Sequence, residues 1–475
     1  MATLGVFLPT TGPIHAAQKP NIIYILADDL GWGDLGCYGG KIIHTPHIDR
    51  MRAEGLKFTQ HYSGSCMCAP TRSSLLTGQH TGHTRVRGNS SHLKPDKDSR
   101  VPLLPEDVTI GEVLKSAGYT TGVIGKWGVG EEGSTGVPNK QGFDFWFGYL
   151  NQSLAHHYYP PFLWRNETKE LYPDNPTRRT HYSHDLFTKE AIKFIDREKD
   201  APFFLFMAYT IPHVDLDVPE DSRKPYIGKI EETKPYGTPG GQHYRYEEKP
   251  HATFAGMVSR LDRDVGRILA QLKKLGIEKN TLVIFTSDNG PTSAGGADPK
   301  FFDGNGPLRG IKFEFYEGGI RAPMIAWWPG TVKANTESHH ISAHWDMLPT
   351  FAELAGVASP KNIDGISMVP TIKGMANRQK DHDHLYWEAY NGGGMQAVRQ
   401  GDWKALRKGL LRNPAAPIEL YNLKSDLGEQ QNLAGQHPEI VARIKSLMNE
   451  NHQPNRHFDF KPMPNPKKNK KKGKK

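Results

Sequence analysis

The chain has 475 residues, more than one hydrophobic core usually supports, so we expect two structural units. Hydrophobic residues make up 37% and aromatic residues 10% of the sequence. No apolar run approaches the roughly 20 residues that cross a bilayer, so the composition predicts a globular enzyme with many loops and no transmembrane segment.

The net charge of +9 comes almost entirely from the C-terminal end. Eight lysines and no acid fall in residues 461–475, and without them the chain carries about +1. We interpret this tail as a disordered, solvated segment, with attraction to an anionic polymer or a membrane surface as the alternative, and we expect no nucleic-acid partner. The three cysteines do not form a disulfide framework.

The N-terminus resembles the end of a secretory signal peptide. Apolar residues 4–8 are followed by small residues up to Ala16 and Ala17, although a basic first region is missing. We interpret residues 1–18 as a signal-peptide remnant, which predicts a periplasmic or secreted protein. An N-terminus that is simply disordered is the alternative.

The first predicted strand is the apolar run at residues 21–26, which is typical of a strand buried on both faces of a parallel sheet. It leads directly into Asp28 and Asp29. Two adjacent carboxylates at a strand end are costly to bury unless a cation lies between them. An exposed turn is the alternative interpretation.

The next motif is Cys-Ala-Pro-Thr-Arg-Ser-Ser-Leu-Leu-Thr-Gly at residues 68–78. Pro70 suits the first turn of a helix, and Gly78 is a natural terminator two turns later. Cys68 would then lie at the helix N-terminus, where unpaired N–H groups favour an anion. Arg72 would present a bidentate donor to a tetrahedral oxyanion. For a lone cysteine, an ordinary buried thiol is the alternative.

Lys126 comes next, at the end of a predicted strand. A helix is expected at residues 105–118 and a strand at residues 119–124, which delivers this lysine. Residues 128–185 show no clear periodicity and are rich in Gly, Pro, His and aromatic residues, so we expect a substrate-shaping insertion. Within it, His156 is a candidate to line a pocket.

Two more predicted strands end in polar residues. The apolar run at residues 202–209 is followed by His213, a candidate general acid if it faces the same edge of the sheet. The run at residues 281–286 delivers Asp288 and Asn289.

Beyond about residue 380, short strand-like runs alternate with turns before a predicted helix, which indicates a small antiparallel sheet. The predicted fold class is therefore α/β: a large mixed, mostly parallel sheet sandwiched by helices, plus a smaller C-terminal α+β subdomain with a short antiparallel sheet. We place a catalytic domain at 19–378, the subdomain at 379–460 and the Lys-rich tail at 461–475.

The polar residues from these strands fall at one edge of the predicted sheet, where doubly wound α/β proteins bind ligands. The oxygen-only set Asp28, Asp29, Asp288 and Asn289 favours a hard cation over zinc. Calcium is preferred to magnesium because it accepts a loose cage that includes a substrate oxygen.

Together these motifs resemble the type I sulfatases of the alkaline-phosphatase superfamily, over roughly residues 20–450. The matching runs are Asp28-Asp29, Cys68-x-Pro70-x-Arg72, Gly125-Lys126-Trp127, Pro212-His213, Asp288-Asn289-Gly290, and Lys312 ahead of Glu317-Gly318-Gly319. The resemblance implies a sulfatase in which a maturation enzyme oxidises Cys68 to formylglycine (3-oxoalanine), which is also a metal ligand.

The resemblance further implies a role for each matched residue. The hydrated formylglycine at Cys68 attacks sulfur, Arg72, Lys126 and Lys312 hold the sulfate oxygens with the cation, and His213 protonates the leaving alcohol. Catalysis on a sulfate monoester is mainly positioning plus charge stabilisation, which these groups supply.

One position departs from the family pattern. Many members have histidine directly after Gly-Lys-Trp, whereas this chain has Gly128, so we expect His156, or less readily His157, to replace it. The Gly-Lys-Trp-Gly variant resembles a subgroup of bacterial polysaccharide sulfatases, some of which act on 4-sulfated galactose or N-acetylgalactosamine. This implies a sulfated glycan substrate. Arg87 and Asn89 are candidate sugar contacts, with solvated loop residues as the alternative.

Two other functions stay open on the sequence alone. A phosphate or phosphonate ester hydrolase of the same superfamily is the nearest enzyme, although a dinuclear zinc phosphatase would need further Asp and His ligands. A catalytically silent glycan-binding protein is the second, motivated by Gly128 and by a Cys68 that is never matured.

Overall fold

The computed structural model describes residues 19–93, 100–240 and 244–461, so the signal-peptide remnant and nearly all of the Lys-rich tail lie outside the described residues. The strands are β1 Asn21–Asp28, β2 Leu56–Phe58, β3 His61–Tyr62, β4 Thr120–Lys126, β5 Phe145–Tyr149, β6 Phe162–Arg165, β7 Thr168–Leu171, β8 Phe203–Pro212, β9 Thr281–Ser287, β10 Met324–Trp327, β11 Thr336–Ser338, β12 Ser342–Ala343, β13 Leu385–Ala389, β14 Met395–Gln400, β15 Trp403–Lys408 and β16 Ile418–Asn422. The helices are α1 Pro46–Ala53, α2 Cys68–Thr77, α3 Ile110–Ser116, α4 Asn175–Arg178, α5 Ser183–Glu198, α6 Glu220–Arg223, α7 Pro250–Leu275, α8 Glu317–Ile320, α9 Met347–Ala355, α10 Val369–Ile372 and α11 Pro438–Glu450.

A large sheet is the centre of the molecule. Within the described ranges it has ten strands in the order β11-β2-β10-β9-β1-β8-β4-β5-β6-β7. The inner strands β9, β1, β8, β4 and β5 are parallel, whereas β10, β6 and β7 pair antiparallel with their neighbours. The predicted α/β class with a large mixed, mostly parallel sheet is confirmed.

Side chains of β1 alternate between two core layers. Ile23 and Ile25 pack with α1, α5 and α7 on one face of the sheet, and Ile22 and Tyr24 pack with α2, α3 and α9 on the other. The strand is uninterrupted in its apolar character because both faces are covered. Across the three described ranges, each helix is too short or too polar to span a bilayer.

The C-terminal sheet consists of β13 to β16 in consecutive antiparallel order, as predicted. One face packs on α11 through side chains that include Tyr386 and Ile444. The other face packs on the large unit, where Trp387 contacts Trp345 and its indole N–H donates to the Ser63 carbonyl oxygen at 2.9 Å. The small sheet is therefore fixed to the unit that carries the sheet edge.

One predicted helix needs correction, and one segment without predicted elements contains strands. The helix expected at 105–118 covers only Ile110–Ser116, because Thr109 and Glu112 form a capping box that starts it late. Residues 128–185, in which the sequence shows no clear periodicity, contain the inner strand β5 and the β6–β7 hairpin. Strand β5 is only five residues long, which is too short for an alternation of apolar and polar residues to stand out among its aromatic neighbours.

Candidate active site

Four neighbouring strands of the large sheet end in polar residues at the same edge. β1 ends at Asp28 and β4 ends at Lys126, while His213 directly follows β8 and Asp288 directly follows β9. Because β9, β1, β8 and β4 are adjacent and parallel, these residues converge on one place.

Three carboxylates form a buried cluster there. The ligand oxygens of Asp28, Asp29 and Asp288 all lie within 4.8 Å of one another. Among the described residues, Asp28 Oδ1 and Asn289 Oδ1 are buried and accept no hydrogen bond. Clustered carboxylates with unpartnered buried oxygens are the donor set of a hard divalent cation, so these residues fit the ion that the family resemblance implies.

Cationic side chains pair with this cluster. Lys126 Nζ lies 2.6 Å from Asp28 Oδ2, and Lys312 Nζ lies 2.7 Å from Asp29 Oδ1. Arg72 Nη2 lies 3.3 Å from Asp28 Oδ2. The formal charges of these three cations and of the three carboxylates cancel. Addition of a divalent cation would leave two positive charges, which suits an ester anion whose charge is spread over several oxygens.

The carboxylates titrate unevenly because they share this space. Burial raises the pKa of Asp288 to about 8, and the charge of Asp28 adds to the effect, although Arg72 lies 3.4 Å from Asp288. Burial also disfavours ionised Asp28, but Lys126, His213 and Arg72 outweigh it and hold the pKa of Asp28 well below its usual range. Full ionisation of the cluster therefore requires further positive charge at the site.

Cys68 is the first residue of α2, and its side chain is buried. Its Sγ, a carboxylate oxygen of Asp28 and a ring nitrogen of His213 all lie within 4.8 Å of one another. Burial raises the pKa of the Cys68 thiol above its usual value. A neutral buried thiol is a poor nucleophile.

Two histidines stack beside Cys68. The ring centroids of His156 and His213 are 4.7 Å apart, with 28° between the ring planes. His213 Nε2 lies 3.5 Å from Asp29 Oδ2, and its Nδ1 lies 2.5 Å from the Val214 carbonyl oxygen, which assigns the proton of the neutral ring to Nδ1. Burial lowers the pKa of both rings, that of His156 to about 3.

The backbone conformation and the surroundings of Gly128 disfavour a side chain at that position. Gly128 has φ of 81°, and a Cβ there would lie 3.1 Å from Gln152 Nε2, which donates to the Gly128 carbonyl oxygen. The structure brings His156 next to His213 instead. His157 is exposed and pairs with Asp215 at 3.1 Å.

Arg87 is not the solvated loop residue of the alternative interpretation. The side chain is 2% exposed, and its Nη1 lies 2.7 Å from Glu388 in β13, so Arg87 links the loop after α2 to the small sheet. Asn89 is exposed, and its Oδ1 accepts a hydrogen bond from the Ala69 N–H at 3.3 Å, beside Cys68.

Phe313, next to Lys312, escaped the sequence analysis. It has φ of 73°, and 44% of it is exposed. Its N–H donates to the Cys66 carbonyl oxygen at 2.9 Å, and Lys312 Nζ lies 5.5 Å from its ring centroid. A bulky residue in the left-handed region is strained, and such strain concentrates at functional sites. The only sequence signal was an aromatic residue directly after a matched lysine.

The fold and this edge define a class: a hydrolase with an α/β fold whose substrates are esters of a tetrahedral oxyanion such as sulfate or phosphate. A family model described as Sulfatase matches residues 20–357, and one described as N-sulphoglucosamine sulphohydrolase, C-terminal, matches residues 311–454. The chain belongs to the sulfatase family, and it is a sulfuric ester hydrolase.

Individual relatives agree with this assignment. The chain is 34% identical to the N-acetylgalactosamine-6-sulfatase of Canis lupus familiaris over 426 residues, which covers 83% of this chain and 73% of the relative. It is 30% identical to the N-acetylgalactosamine-6-O-sulfatase of Bacteroides thetaiotaomicron over 512 residues, 91% of this chain and 93% of the relative. The crystal structure of Ps i-CgsB superposes with a TM-score of 0.77 at 29% identity, covering 92% of this chain and 94% of that one.

Proposed function

We propose that this sulfatase hydrolyses sulfate esters of carbohydrates, through a nucleophile formed at Cys68 and a calcium ion held by Asp28, Asp29, Asp288 and Asn289 together with residue 68. The observation that carries the proposal is a buried cysteine at a helix start, within 4.8 Å of both a carboxylate of the cluster and a histidine. Calcium is favoured over magnesium because a loose cage of carboxylate and amide oxygens that also takes in a substrate oxygen suits the larger, more flexible ion.

The side chains around Cys68 divide the remaining work. Hydrolysis breaks the ester S–O bond, places the hydroxyl of a water on sulfur and delivers a proton to the leaving alcohol. Lys126, Arg72 and Lys312 bind the sulfate oxygens as charge grows on them. Because His213 Nδ1 keeps its proton on the Val214 carbonyl oxygen, Nε2 is the ring atom that takes up a proton and passes it to the leaving oxygen, and His156 supports the ring by stacking. Formylglycine at position 68 would supply the attacking oxygen, and the cation would supply charge beside the sulfate.

The sulfated sugar is the finer part of the proposal. Two relatives are named for N-acetylgalactosamine 6-sulfate, and the crystal structure of Ps i-CgsB is also known with k-i-k-neocarrahexaose. These names support a sulfated galactose or N-acetylgalactosamine. The Gly-Lys-Trp-Gly variant favours the ester at position 4, whereas the names of the relatives favour position 6.

Three further assignments belong to the same proposal. Maturation of Cys68 makes a formylglycine-generating enzyme a partner of this chain. The predicted signal-peptide remnant supports a periplasmic or secreted location. We place the boundary between the catalytic domain at 19–378 and the C-terminal subdomain at 379–460 because β13, the first strand of the small sheet, begins at Leu385.

A paired assay tests the proposed function. The chain is produced with a formylglycine-generating enzyme and assayed on 4-nitrophenyl sulfate, 4-nitrophenyl phosphate and the 4- and 6-sulfates of N-acetylgalactosamine. We expect sulfate release that is lost in Cys68→Ala and kept in Cys37→Ala, a thiol outside the site. Preference for the phosphate ester would favour the phosphatase alternative, and absence of all hydrolysis from matured protein would favour the silent glycan-binding protein.

A further inference from the structure

A cavity of about 350 Å³ lies beside the active site, at the lower end of the volumes of small-molecule pockets. Its walls come from the segment around residues 157–179 and from the segment that follows His213. They include three tyrosines, two arginines and two aspartates: Tyr158, Tyr159, Tyr244, Arg179, Arg245, Asp215 and Asp217. No residue of this cavity has a role in the chemistry proposed above.

The cavity shares a wall with the two stacked histidines. Tyr158, which lines the cavity, donates its hydroxyl to the carbonyl oxygens of Thr210 and His213. The Asp215 N–H donates to the His156 carbonyl oxygen at 3.0 Å. The ring of Tyr244 lies 5.9 Å from that of His156. When the ester oxygen of a sulfated sugar lies against His213, the sugar ring is therefore next to this cavity.

The charges in the cavity are paired with one another. Arg179 Nη2 contacts both carboxylate oxygens of Asp217, at 2.6 and 2.7 Å, and its guanidinium lies 4.0 Å from the Tyr159 ring centroid. Arg245 Nη1 lies 3.8 Å from the same carboxylate. Asp215 pairs with His157 at 3.1 Å. Among the described residues that line the cavity, the two arginines and the two aspartates cancel formally, and no carboxylate cluster is present that would add the charge of a bound cation, as at the edge of the large sheet.

We propose that this cavity binds the uncharged part of the substrate's sugar ring, so that the enzyme prefers a ring with one sulfate to a ring with two. The inference rests on the proposed function and adds the substrate class. Sugar hydroxyls can donate to Asp215 and Asp217 and accept from Arg179, while a tyrosine ring packs against the apolar face of a pyranose. A second sulfate would meet the two carboxylates, and its binding would require the Arg179–Asp217 pair to break.

The test compares sugar and aryl substrates in matched variants. Matured enzyme, Arg179→Ala and Arg178→Ala are assayed on 4-nitrophenyl sulfate, on N-acetylgalactosamine 4-sulfate and 6-sulfate, and on its 4,6-disulfate. Arg178 is the neighbouring arginine, 74% exposed, and pairs with Asp174 only at 3.9 Å. Arg245→Ala, which removes a 44% exposed side chain, is the second variant should Arg179→Ala fold poorly.

We expect the kcat/KM of the wild type for the better of the two monosulfates to be at least about tenfold higher than that for the disulfate. The reason is that binding of a second sulfate would break the charged hydrogen bonds between Arg179 and Asp217. Arg179→Ala should raise KM for that monosulfate about tenfold while kcat/KM for 4-nitrophenyl sulfate stays within about twofold. Arg178→Ala should change neither value. Equal or better use of the disulfate, equal losses on sugar and aryl esters, or no sugar used better than the aryl ester would each overturn the inference. Failure of the matured wild type on every ester would instead overturn the proposed function.

Discussion

At the scale of single residues, each charge at the sheet edge is tolerated because another charge offsets it. A carboxylate buried alone in an apolar interior would neutralise by a pKa shift, and Asp28 instead stays ionised beside Lys126. The two adjacent aspartates were predictable, since an apolar run leads straight into them. The sequence also placed Lys126 at this edge, but it did not predict the Asp28–Lys126 ion pair, because the two residues are 98 positions apart and only the order β1-β8-β4 brings them into contact.

A cation should stabilise the folded protein through this cluster. Calcium added to chelator-treated protein is expected to raise the melting temperature, since a ligand at one hundred times its Kd adds about 2.7 kcal/mol. Asp288→Asn should reduce the shift strongly because it removes one of the three clustered carboxylates. Thermal unfolding with and without calcium measures this, with Asp383→Asn, an exposed aspartate, as the control. An unchanged shift in Asp288→Asn would place the ion elsewhere.

Gly128 should resist the side chain that the family pattern has at this position. Gly128 and Gly133 both have φ of 81°, so Ala at either costs about 1 kcal/mol of the free energy of unfolding. Gly128→Ala should cost more, because its Cβ lies 3.1 Å from Gln152 whereas nothing lies within 4 Å at Gly133. Denaturant unfolding of both variants measures the difference. Gly128→His should not raise sulfatase activity, and a gain would show that His156 does not replace the family histidine.

At the scale of elements, the strands that precede the polar residues were predictable from the sequence, whereas those within residues 128–185 were not. The runs that became β1, β8 and β9 are continuous and apolar because helices cover both of their faces. The inner strand β5 is short and lies among many other aromatic residues, so its sequence carries no distinct period. The strand order of the large sheet depends on long-range pairing that no local pattern encodes.

A buried lysine of the small sheet binds the first residue of α8, the helix that follows Lys312 in the chain. Lys404 Nζ in β15 lies 2.8 Å from Glu317 and 3.0 Å from Glu429, and all three side chains are fully buried. Burial opposes ionisation of Glu317, but the charges of Lys404, Arg321 and Arg399 outweigh it and lower the pKa of Glu317 to about 2.

Lys404→Met should therefore destabilise the protein by about 3–5 kcal/mol, because it leaves the buried Glu429 without its cation and Glu317 with Arg321 alone, at 2.9 Å. Lys408→Met on the same strand is the matched control. Lys408 is 43% exposed and pairs with Glu419 at 2.9 Å, so its loss should cost at most about 1 kcal/mol. Urea denaturation compares the two variants, and equal midpoints would show that the buried triad adds no stability.

At the scale of the whole molecule, the large unit and the small C-terminal unit are joined by ionic contacts as well as by apolar packing. Arg87 meets Glu388, Lys404 meets Glu317, and His382 meets Asp346 across the junction. The sequence predicted both units but not their junction, so Arg87 was interpreted as a candidate sugar contact or a solvated loop residue. A charged side chain in a loop gives no sequence signal of the distant acid that buries it.

The His382–Asp346 contact should make stability depend on pH. Burial opposes protonation of His382, but Asp346 at 2.8 Å outweighs it and raises the pKa of His382 above 6.5. A raised folded-state pKa means that the stabilisation is fully present below the unfolded value of about 6.5 and is lost as pH rises through the folded value. The free energy of unfolding should fall across that window, less steeply in His382→Gln.

Urea titrations at several pH values measure this slope. His384→Gln is the control, because His384 is close in sequence and its partner Asp383 is 85% exposed. If the free energy of unfolding of His382→Gln fell with pH as steeply as that of the wild type, the pH dependence would belong to other groups.

The central claim is that residue 68 acts as an oxidised side chain beside a buried carboxylate cluster. The most direct measurement is the mass of the peptide that carries residue 68, taken from the same preparation whose sulfate-ester hydrolysis is assayed. We predict that an aldehyde replaces the thiol-bearing CH₂SH group and that activity rises in proportion to the converted fraction. Full activity in a preparation whose Cys68 is an unmodified thiol would contradict the account.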